Sequence, residues 1–430
     1  MFIEFKVSNF RSIREEQVFS LVASNSDKDL EPCVIRRDLP GLSKVSFLKG
    51  AALYGANASG KSNVILAIRF LANFVKRSAV MINPGDPTGA EPFKLDQESG
   101  VKPSVFEITF VADNVRFVFG ISVTPQRVLE EYLMAYPKGV PQRWYHRTFD
   151  QNSNAYKWAN PSTEFKHDKS LQDKTRENSL FLSVGPQFNH PQLTPVFNWF
   201  KNNLNFLRLD VGWGVRPNFT ANLILESAQH DRIPNLLRSA DIAVTDAKII
   251  EKEISVDEQR KNMGPERLAI IEARGGLKPI KSVEINLVHT AENSKSVLFN
   301  FDDEESAGTR RFFALIGPWT NILDNGYTVF VDELETSLHP ILVKELLKLF
   351  FSGTHNPEGA QIVFTTHNPV LLDNTLMRRD QIWFTEKSPA GTTYLYPLTD
   401  YQPRKDESLA KGYLAGRYGA IPYFPDGLKL

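Results

Sequence analysis

The stretch AALYGANASGKSNVILAIRFLANFV (residues 51–75) joins an apolar strand to a glycine-containing turn and then to a helix. The residues before Gly55 are small or apolar, and after Lys61 the apolar side chains recur at helical spacing. Between them, GANASGKS (55–62) fits G-x-x-x-x-G-K-[ST], a pattern whose backbone N–H groups surround phosphate oxygens. An ordinary glycine-rich turn is the alternative. The strand before the loop and the helix after it favour a nucleotide phosphate site.

The residues of this loop have distinct expected roles. Gly55 and Gly60 let the backbone curl, the Lys61 ammonium reaches the β- and γ-phosphates, and the Ser62 hydroxyl ligates Mg²⁺. The start of the following helix adds the positive end of its dipole. The loop therefore predicts ATP and Mg²⁺ as cofactors.

A second apolar strand ends on two adjacent carboxylates in YTVFVDELETSLHP (327–340). Metal-assisted phosphoryl transfer needs one carboxylate for Mg²⁺ and another for the attacking water. Ligands of parallel sheets bind at the carboxyl ends of the strands. We therefore expect Asp332 to hold the water shell of the metal and Glu333 to be the catalytic base. Two solvated residues at a strand exit are the alternative.

Two further element ends are candidates for phosphate contacts. The strand QIVFTTHNP (361–369) ends at His367, which can hydrogen-bond a γ-phosphate, although a structural histidine is the alternative. In ESAGTRRFFALI (305–316), Ser306 can cap a helix and Gly308 leaves room for a close approach. One molecule needs a single phosphate loop, so this second anion site is expected to serve the nucleotide of another subunit. An ordinary helix cap is the alternative.

Hydrophobic periodicity predicts an α/β protein. A helix–strand–helix–strand pattern over 306–372 is typical of a parallel sheet. Two stretches, 105–123 and 283–301, alternate like β-hairpins, the first with a turn at Asp113 and Asn114. Three regions are predicted: an N-terminal half with the phosphate loop and an antiparallel β subdomain (1–164), a mainly helical insertion (165–275), and a C-terminal half (276–430).

Composition limits the class of protein. Lysine plus arginine equal aspartate plus glutamate at 50 each, so no global basic field attracts nucleic acid. The single cysteine, Cys33, is typical of a reducing compartment. The apolar stretch VILAIRFLANFV (64–75) is too short to cross a bilayer and contains Arg69. We therefore expect a soluble, cytoplasmic protein with no membrane partner.

Taken together, these motifs resemble the ABC-type ATPase heads of the SMC, RecF and OLD group. GANASGKS resembles the Walker A motif, ESAGTR the signature motif, TVFVDE Walker B, LETSLHP the D-loop and TTHNP the histidine switch. In FKVSNFRSI, the residue after NF is Arg11, which by this resemblance lies near the nucleotide. PFKLD, TRENSLFLS and YLAGRYGAIP are more similar to compact AAA-type defence ATPases, such as RloA-like proteins and the ATPase component of the PARIS system.

The resemblance implies an ABC-type ATPase head that forms a homodimer around ATP, or a higher assembly of such dimers. It implies catalytic roles for Lys61, Glu333 and His367, and metal contacts from Ser62 and Asp332. The implied nucleotide-binding residues are Arg11, Gly55, Asn57, Gly60, Lys61, Ser62, Asn63, Ser306 and Gly308.

Three functions are compatible with the sequence. The first is an ATPase switch of an anti-phage or toxin–antitoxin-like pair, which senses a phage-derived trigger and controls a nuclease effector encoded nearby. It is favoured because the sequence contains no second catalytic constellation. The second is a RecF- or SMC-like repair ATPase that binds DNA through the basic runs 36–37, 75–77 and 378–379. The third is a nucleotide-gated scaffold without significant turnover.

Overall fold

The chain forms two compact units in a computed structural model. The first unit comprises Met1–Gly212 with Ile322–Leu430, and the second comprises Trp213–Asn321. The structure describes residues 1–208, 215–226, 232–240, 243–261, 263–265, 268, 271–272, 276–277, 279–292, 295–336 and 338–422.

The described residues form strands and helices in alternating groups along the chain. The strands are β1 (Phe2–Ser8), β2 (Gln17–Ser20), β3 (Val34–Ile35), β4 (Phe47–Leu48), β5 (Gly50–Gly55), β6 (Ser104–Ala112), β7 (Val115–Val123), β8 (Val128–Tyr136), β9 (Gln142–Asp150), β10 (Ala155–Trp158), β11 (Leu204–Arg208), β12 (Val244–Ile254), β13 (Ile280–Thr290), β14 (Ser296–Asn300), β15 (Thr328–Asp332), β16 (Gln361–Thr365), β17 (Ile382–Lys387) and β18 (Thr393–Pro397). The helices are α1 (Lys61–Arg77), α2 (Lys169–Asp173), α3 (Phe181–Val184), α4 (Leu193–Asn198), α5 (Pro217–Glu226), α6 (Arg232–Ser239), α7 (Val256–Lys261), α8 (Ala307–Asn325), α9 (Pro340–Phe351) and α10 (Leu409–Leu414).

The first unit contains a central sheet with the strand order β11-β15-β16-β5-β17-β18. Neighbouring strands from β11 to β17 run parallel, whereas β17 and β18 pair antiparallel. Strands β5, β15 and β16 are buried almost throughout, as is typical of parallel strands covered on both faces. The carboxyl ends of β15, β16, β5 and β17 therefore meet at one edge of this sheet.

The first unit also contains an antiparallel sheet with the order β10-β9-β8-β7-β6-β1-β2. The predicted hairpin at 105–123 is confirmed, because β6 and β7 join through Asp113 and Asn114, whose φ angles are 47° and 59°. On α1, the ring of Phe70 lies 5.0 Å from Phe106 and 5.5 Å from Phe10 between centroids. Helix α1 thus packs against this sheet. The expected mixed α/β architecture with an antiparallel β subdomain is confirmed.

A buried amide joins the two sheets of the first unit. Gln361, the first residue of β16, is fully buried. Its Oε1 accepts a hydrogen bond from the Phe2 N–H at 2.7 Å, and its Nε2 donates to the carbonyls of Phe2 and Leu48, each at 3.0 Å. A buried amide without partners would be costly, so these bonds fix β1 beside the central sheet.

The range 165–275 contains strands that the sequence analysis did not predict. Helices α2 to α7 lie in this range, but β11 and β12 do so as well. Strand β11 pairs in parallel with β15, with Phe206 opposite Phe330, and so belongs to the central sheet. The propensity of residues to form a strand depends strongly on context, and for β11 that context is its pairing with β15. The domain boundaries after 164 and 275 stay a prediction.

The second unit contains a three-stranded antiparallel sheet in the order β12-β13-β14. The predicted hairpin at 283–301 is confirmed by the pairing of β13 with β14. Helix α8 contains Pro318, which has no N–H to donate to the carbonyl of Ala314. The Thr220 hydroxyl donates to the Phe313 carbonyl at 2.8 Å, lies 3.2 Å from the Ala314 carbonyl oxygen and accepts a hydrogen bond from the Gly317 N–H. Thr220 therefore bridges backbone groups of the helical turn that precedes the proline.

The C-terminal stretch YLAGRYGAIP (413–422) packs onto the central sheet. The rings of Tyr413 and Tyr418 stack on Phe384 of β17, at centroid distances of 5.7 and 5.8 Å. Tyr413 also contacts the ring of Tyr54 in β5. These two tyrosines are only 5% and 1% exposed, so they belong to the core.

Glu131 and Arg147 form an ion pair between β8 and β9, and both side chains are 0% exposed. The Arg147 Nε donates to Glu131 Oε2 at 2.9 Å. The same carboxylate accepts hydrogen bonds from the backbone N–H groups of Phe181 and Leu182 at the start of α3. The pair thus anchors α3 to the antiparallel sheet.

We expect Arg147→Leu to lower the free energy of unfolding by about 3–5 kcal/mol, because it leaves the Glu131 carboxylate buried without its counter-charge. The matched control is Lys102→Ala, which removes an ion pair with Glu98 that is exposed on both sides. Water screens exposed pairs, so this change should have little effect. Urea denaturation followed by circular dichroism measures both variants. Equal losses would contradict the anchoring role of Arg147.

Candidate active site

The phosphate loop lies between the end of β5 and the start of α1, in the predicted strand–loop–helix order. Gly60 has a φ angle of 110°, which side chains rarely tolerate. A Cβ added at Gly60 would also lie 2.1 Å from Oγ1 of Thr393 in β18. That hydroxyl donates to the Ser59 carbonyl at 2.9 Å. The loop is therefore packed against the β17–β18 hairpin, and this packing requires glycine at position 60.

The Lys61 ammonium is held on the inner side of the loop. Its Nζ donates to the carbonyls of Gly55 and Ala56 at 2.9 and 3.0 Å, and the side chain is buried. Burial lowers the pKa of Lys61 to about 8, although nearby carboxylates, led by Asp332, oppose the shift. The ammonium is thus partly desolvated, which strengthens its interaction with an anion.

The two predicted carboxylates lie at the end of β15, beside the loop. Asp332 Oδ1 accepts hydrogen bonds from the hydroxyls of Ser62 at 3.1 Å and Thr365 at 2.6 Å. Glu333 follows with a φ angle of 51°, and its N–H donates to Thr365 Oγ1 at 2.7 Å. Its side chain is exposed. The structure therefore brings Ser62, Asp332 and Glu333 together.

His367 follows the end of β16 on the same edge of the sheet. Its Nδ1 lies 3.5 Å from Lys61 Nζ, and its backbone N–H donates to Glu335 Oε1 at 2.6 Å. Burial, and then the positive charge of Lys61, lower the pKa of His367 below its ordinary value. Glu335 thus fixes the backbone of the histidine from the loop that follows β15.

Most of these side chains line one cavity of about 440 Å³. Its size lies within the range of small-molecule sites. Its lining consists of Asn57, Ala58, Gly60, Lys61, Ser62, Asn63, Glu333, His367 and Lys387. A larger cavity of about 630 Å³ is lined by residues near the amino ends of β15 and β16, including Gly326 and Gly359, and by none of the predicted site residues. The smaller cavity is the candidate site, because residues of the loop, Glu333 and His367 all line it.

Three residues of this edge were missed by sequence reasoning. Thr365 lies in QIVFTTHNP and Glu335 in YTVFVDELETSLHP. Each contacts a residue at the end of the other strand, and no pattern in the local sequence indicates such a contact. Lys387 ends β17 and is exposed at the rim of the cavity. It becomes a neighbour of the loop because β17 pairs with β5, with Thr385 opposite Gly55.

Four predicted binding residues lie outside the cavity lining: Arg11, Gly55, Ser306 and Gly308. Gly55 ends β5 before the loop, where its carbonyl accepts from Lys61. Arg11 forms an ion pair with Glu91 at 2.8 Å. Ser306 and Gly308 belong to the second unit, where the Thr309 N–H donates to Ser306 Oγ at 3.1 Å. Ser306 therefore caps the start of α8.

The residues beside the loop fit Mg²⁺. The Ser62 hydroxyl and the Asp332 carboxylate are hard oxygen donors in direct contact, and Glu333 lines the adjoining cavity. Mg²⁺ is commonly held by one or two carboxylates together with substrate phosphates and waters. This small set of oxygen donors matches that preference.

The comparisons with known proteins identify a family. The family described as "AAA domain, putative AbiEii toxin, Type IV TA system" matches residues 51–373. The chain belongs to this family. Its AAA domain makes the protein an ATP-hydrolysing enzyme, and the predicted AAA-type ATPase is confirmed. No curated protein matches the chain.

Solved structures similar to this AAA-domain protein have low sequence identity. The SMC head domain of Thermotoga maritima is 11% identical over 92% of this chain and 98% of that chain, with a TM-score of 0.38. The Smc head domain of Pyrococcus furiosus, bound to the C-terminal domain of ScpA, is 13% identical over 93% and 97%, with a TM-score of 0.40. The structure of cbiO1 of Clostridium perfringens, part of an ABC transporter complex, is 11% identical over 97% of this chain and 97% of that chain, with a TM-score of 0.28. In the AAA-domain protein, no helix of the described residues is long and apolar enough to cross a membrane.

We expect Gly60→Ala to abolish nucleotide binding, because the new methyl group meets Thr393 at a backbone conformation that alanine does not favour. Titration with a fluorescent ATP analogue measures the affinity. Gly100→Ala is the matched control, since a Cβ at that position has no atom within 4 Å. Wild-type affinity in Gly60→Ala would contradict the close packing of the loop.

Proposed function

We propose that this ATPase is the switch subunit of a bacterial anti-phage defence system of the abortive-infection or toxin–antitoxin-like type. The observation that carries the proposal is the convergence of Lys61, Ser62, Glu333 and His367 on one cavity. The family description, which names a toxin and a type IV system, supports the biological setting. The switch responds to a phage-derived trigger and controls a partner effector, a nuclease encoded nearby.

The proposed chemistry assigns one task to each side chain. The loop N–H groups and Lys61 bind the β- and γ-phosphates, and Ser62 and Asp332 hold the metal. Bound Mg²⁺ neutralises charge that develops on the phosphate oxygens. Glu333 accepts a proton from the attacking water, and His367 contacts the γ-phosphate. Both the hydrogen bond between Ser62 and Asp332 and the 3.5 Å approach of Lys61 to His367 support this assignment.

The proposed dimer explains the predicted second anion site. Ser306 and Gly308 of one protomer complete the nucleotide site of its partner, so that ATP joins two subunits and hydrolysis releases them. A ligand that binds only the closed pair shifts the equilibrium toward it. The capped start of α8 supplies backbone N–H groups of the kind that bind phosphate.

A DNA-repair function has less support, because acidic side chains already pair with three of the four arginines in two basic runs. Arg378 and Asp380 form a buried ion pair at 2.7 Å. Arg379 pairs with Asp27 at 3.0 Å. In the run at 36–37, Arg36 pairs with Glu31. Side chains engaged in this way are poor candidates for contacts with DNA phosphates.

We expect Glu333→Gln to reduce ATP turnover by about 10²–10⁴-fold, because the amide cannot accept the proton of the water. Binding of ATP should persist, and the ATP-bound assembly should accumulate. Phosphate release measures turnover, and light scattering measures the assembly. Glu345→Gln, on the exposed face of α9, is the control. Wild-type turnover in Glu333→Gln would remove the base assignment.

The same variant tests the effector proposal. Expressed with its neighbouring genes and purified with ATP and Mg²⁺, Glu333→Gln should retain a stoichiometric protein partner that leaves when ATP is withheld. A parallel sample treated with nuclease shows whether the partner is retained by the protein itself or by DNA that co-purifies with it. If nucleic acid alone were retained, the repair ATPase would be favoured. If the purified chain cut nucleic acid independently of Glu333, the switch proposal would be wrong.

Mixing two inactive variants tests the shared site. Lys61→Ala damages the loop of its own protomer, and Ser306→Arg damages the site completed for the partner. Each variant alone should be inactive, although Ser306→Arg monomers should still bind ATP. A one-to-one mixture should recover about a quarter of wild-type turnover, because half the dimers are mixed and each has one intact site. No recovery would contradict completion of the site by the partner.

A further inference from the structure

Thr365 is the last residue of β16 and is fully buried. Its Oγ1 lies 2.6 Å from Asp332 Oδ1 and 2.7 Å from the backbone nitrogen of Glu333. A single hydroxyl on one strand therefore contacts two consecutive residues at the end of the neighbouring strand, β15. These two residues are the proposed metal ligand and the proposed base.

The chemistry of the three groups determines the direction of both hydrogen bonds. An ionised carboxylate only accepts, and a backbone N–H only donates. The Thr365 hydroxyl must therefore give its proton to Asp332 and accept the proton of the Glu333 N–H. The same hydroxyl thus acts as a donor and as an acceptor.

The backbone at Glu333 requires such support. Its φ angle of 51° lies in the left-handed region, which is uncommon for residues other than glycine. Thr365 stabilises this conformation through two hydrogen bonds. Its hydroxyl accepts from the Glu333 N–H, and its carbonyl accepts from the Leu334 N–H at 3.2 Å. Strained backbone of this kind persists when the surrounding structure fixes it.

The second bond orients the neighbouring carboxylate. Asp332 Oδ1 accepts from both Thr365 and Ser62, so its other oxygen, Oδ2, remains for the water shell of a metal. Hydrogen-bond partners of metal ligands commonly fix their orientation in this way.

We propose that Thr365 is a positioning residue, whose hydroxyl orients Asp332 toward the metal and holds Glu333 in the turn that presents its carboxylate to the cavity. This inference rests on the proposed function and adds to it a residue that touches neither nucleotide nor metal. Because the hydroxyl links the two residues, its loss affects the response to Mg²⁺ and turnover together.

The test compares three substitutions. Thr365→Val has nearly the same shape but lacks the hydroxyl, and Thr365→Ser keeps the hydroxyl and loses the methyl group. Thr328→Val is the matched control, since Thr328 is a buried threonine at the opposite end of the same pair of strands. Its hydroxyl contacts Gln361 and neither carboxylate. Affinity for a fluorescent ATP analogue is measured with and without Mg²⁺, and phosphate release gives kcat and KM.

Thr365→Val should lower kcat by about 10–100-fold, and the gain in nucleotide affinity on adding Mg²⁺ should shrink. Affinity without Mg²⁺ should stay at the wild-type value, because the phosphate loop is unchanged. Thr365→Ser and Thr328→Val should behave like the wild type in all measurements. Loss of turnover on Glu333→Gln tests the proposed function separately.

Two results would overturn the proposal. One is a Thr365→Val protein with the kcat and the Mg²⁺ response of Thr328→Val. The other is a Thr365→Ser protein as impaired as Thr365→Val, which would assign the effect to packing of the methyl group. If Thr365→Val does not fold, Thr365→Cys replaces it, because a thiol is a weak donor and acceptor. A Thr365→Cys protein with wild-type kcat and Mg²⁺ response would overturn the proposal in the same way.

Discussion

The parallel register of three buried strands is the constraint on which the candidate site depends. Thr365 of β16 pairs with Leu53 of β5, and Val331 of β15 pairs with Phe364. A shift of one residue would turn every buried side chain of a strand to the opposite face. The register therefore places the phosphate loop, the carboxylates and the histidine at one edge, and it is this alignment that brings their side chains together.

The conformation of the phosphate loop depends on the β17–β18 hairpin, which lies outside these three strands. Thr393 occupies the space that a side chain at Gly60 would need, and Thr385 of β17 contacts the Ser59 hydroxyl at 2.6 Å. The edge hairpin thus contributes small polar side chains that fit the curled backbone. Phosphate loops are often described by their glycines alone, but here the shape of the loop depends equally on what packs against it.

The sequence predicted the parts of the molecule that local patterns encode. These were the strand–loop–helix around Lys61, the strand that ends at Asp332 and the hairpin at Asp113. It did not predict β11, because pairing with β15 outweighs the propensity of its own residues. Contacts of Thr365 and Lys387 were missed for a related reason: they depend on which strands are neighbours, and no spacing along the chain encodes that order.

The site also has a consequence for biosynthesis. Lys61 and His367, whose side chains approach each other, are 306 residues apart in sequence. At 5–20 residues per second, a ribosome needs roughly 15–60 s to travel between them. During this interval, β5 has neither of its sheet neighbours, β16 and β17. Until the residues of β16 and His367 have been translated, the nascent chain therefore lacks part of the candidate site.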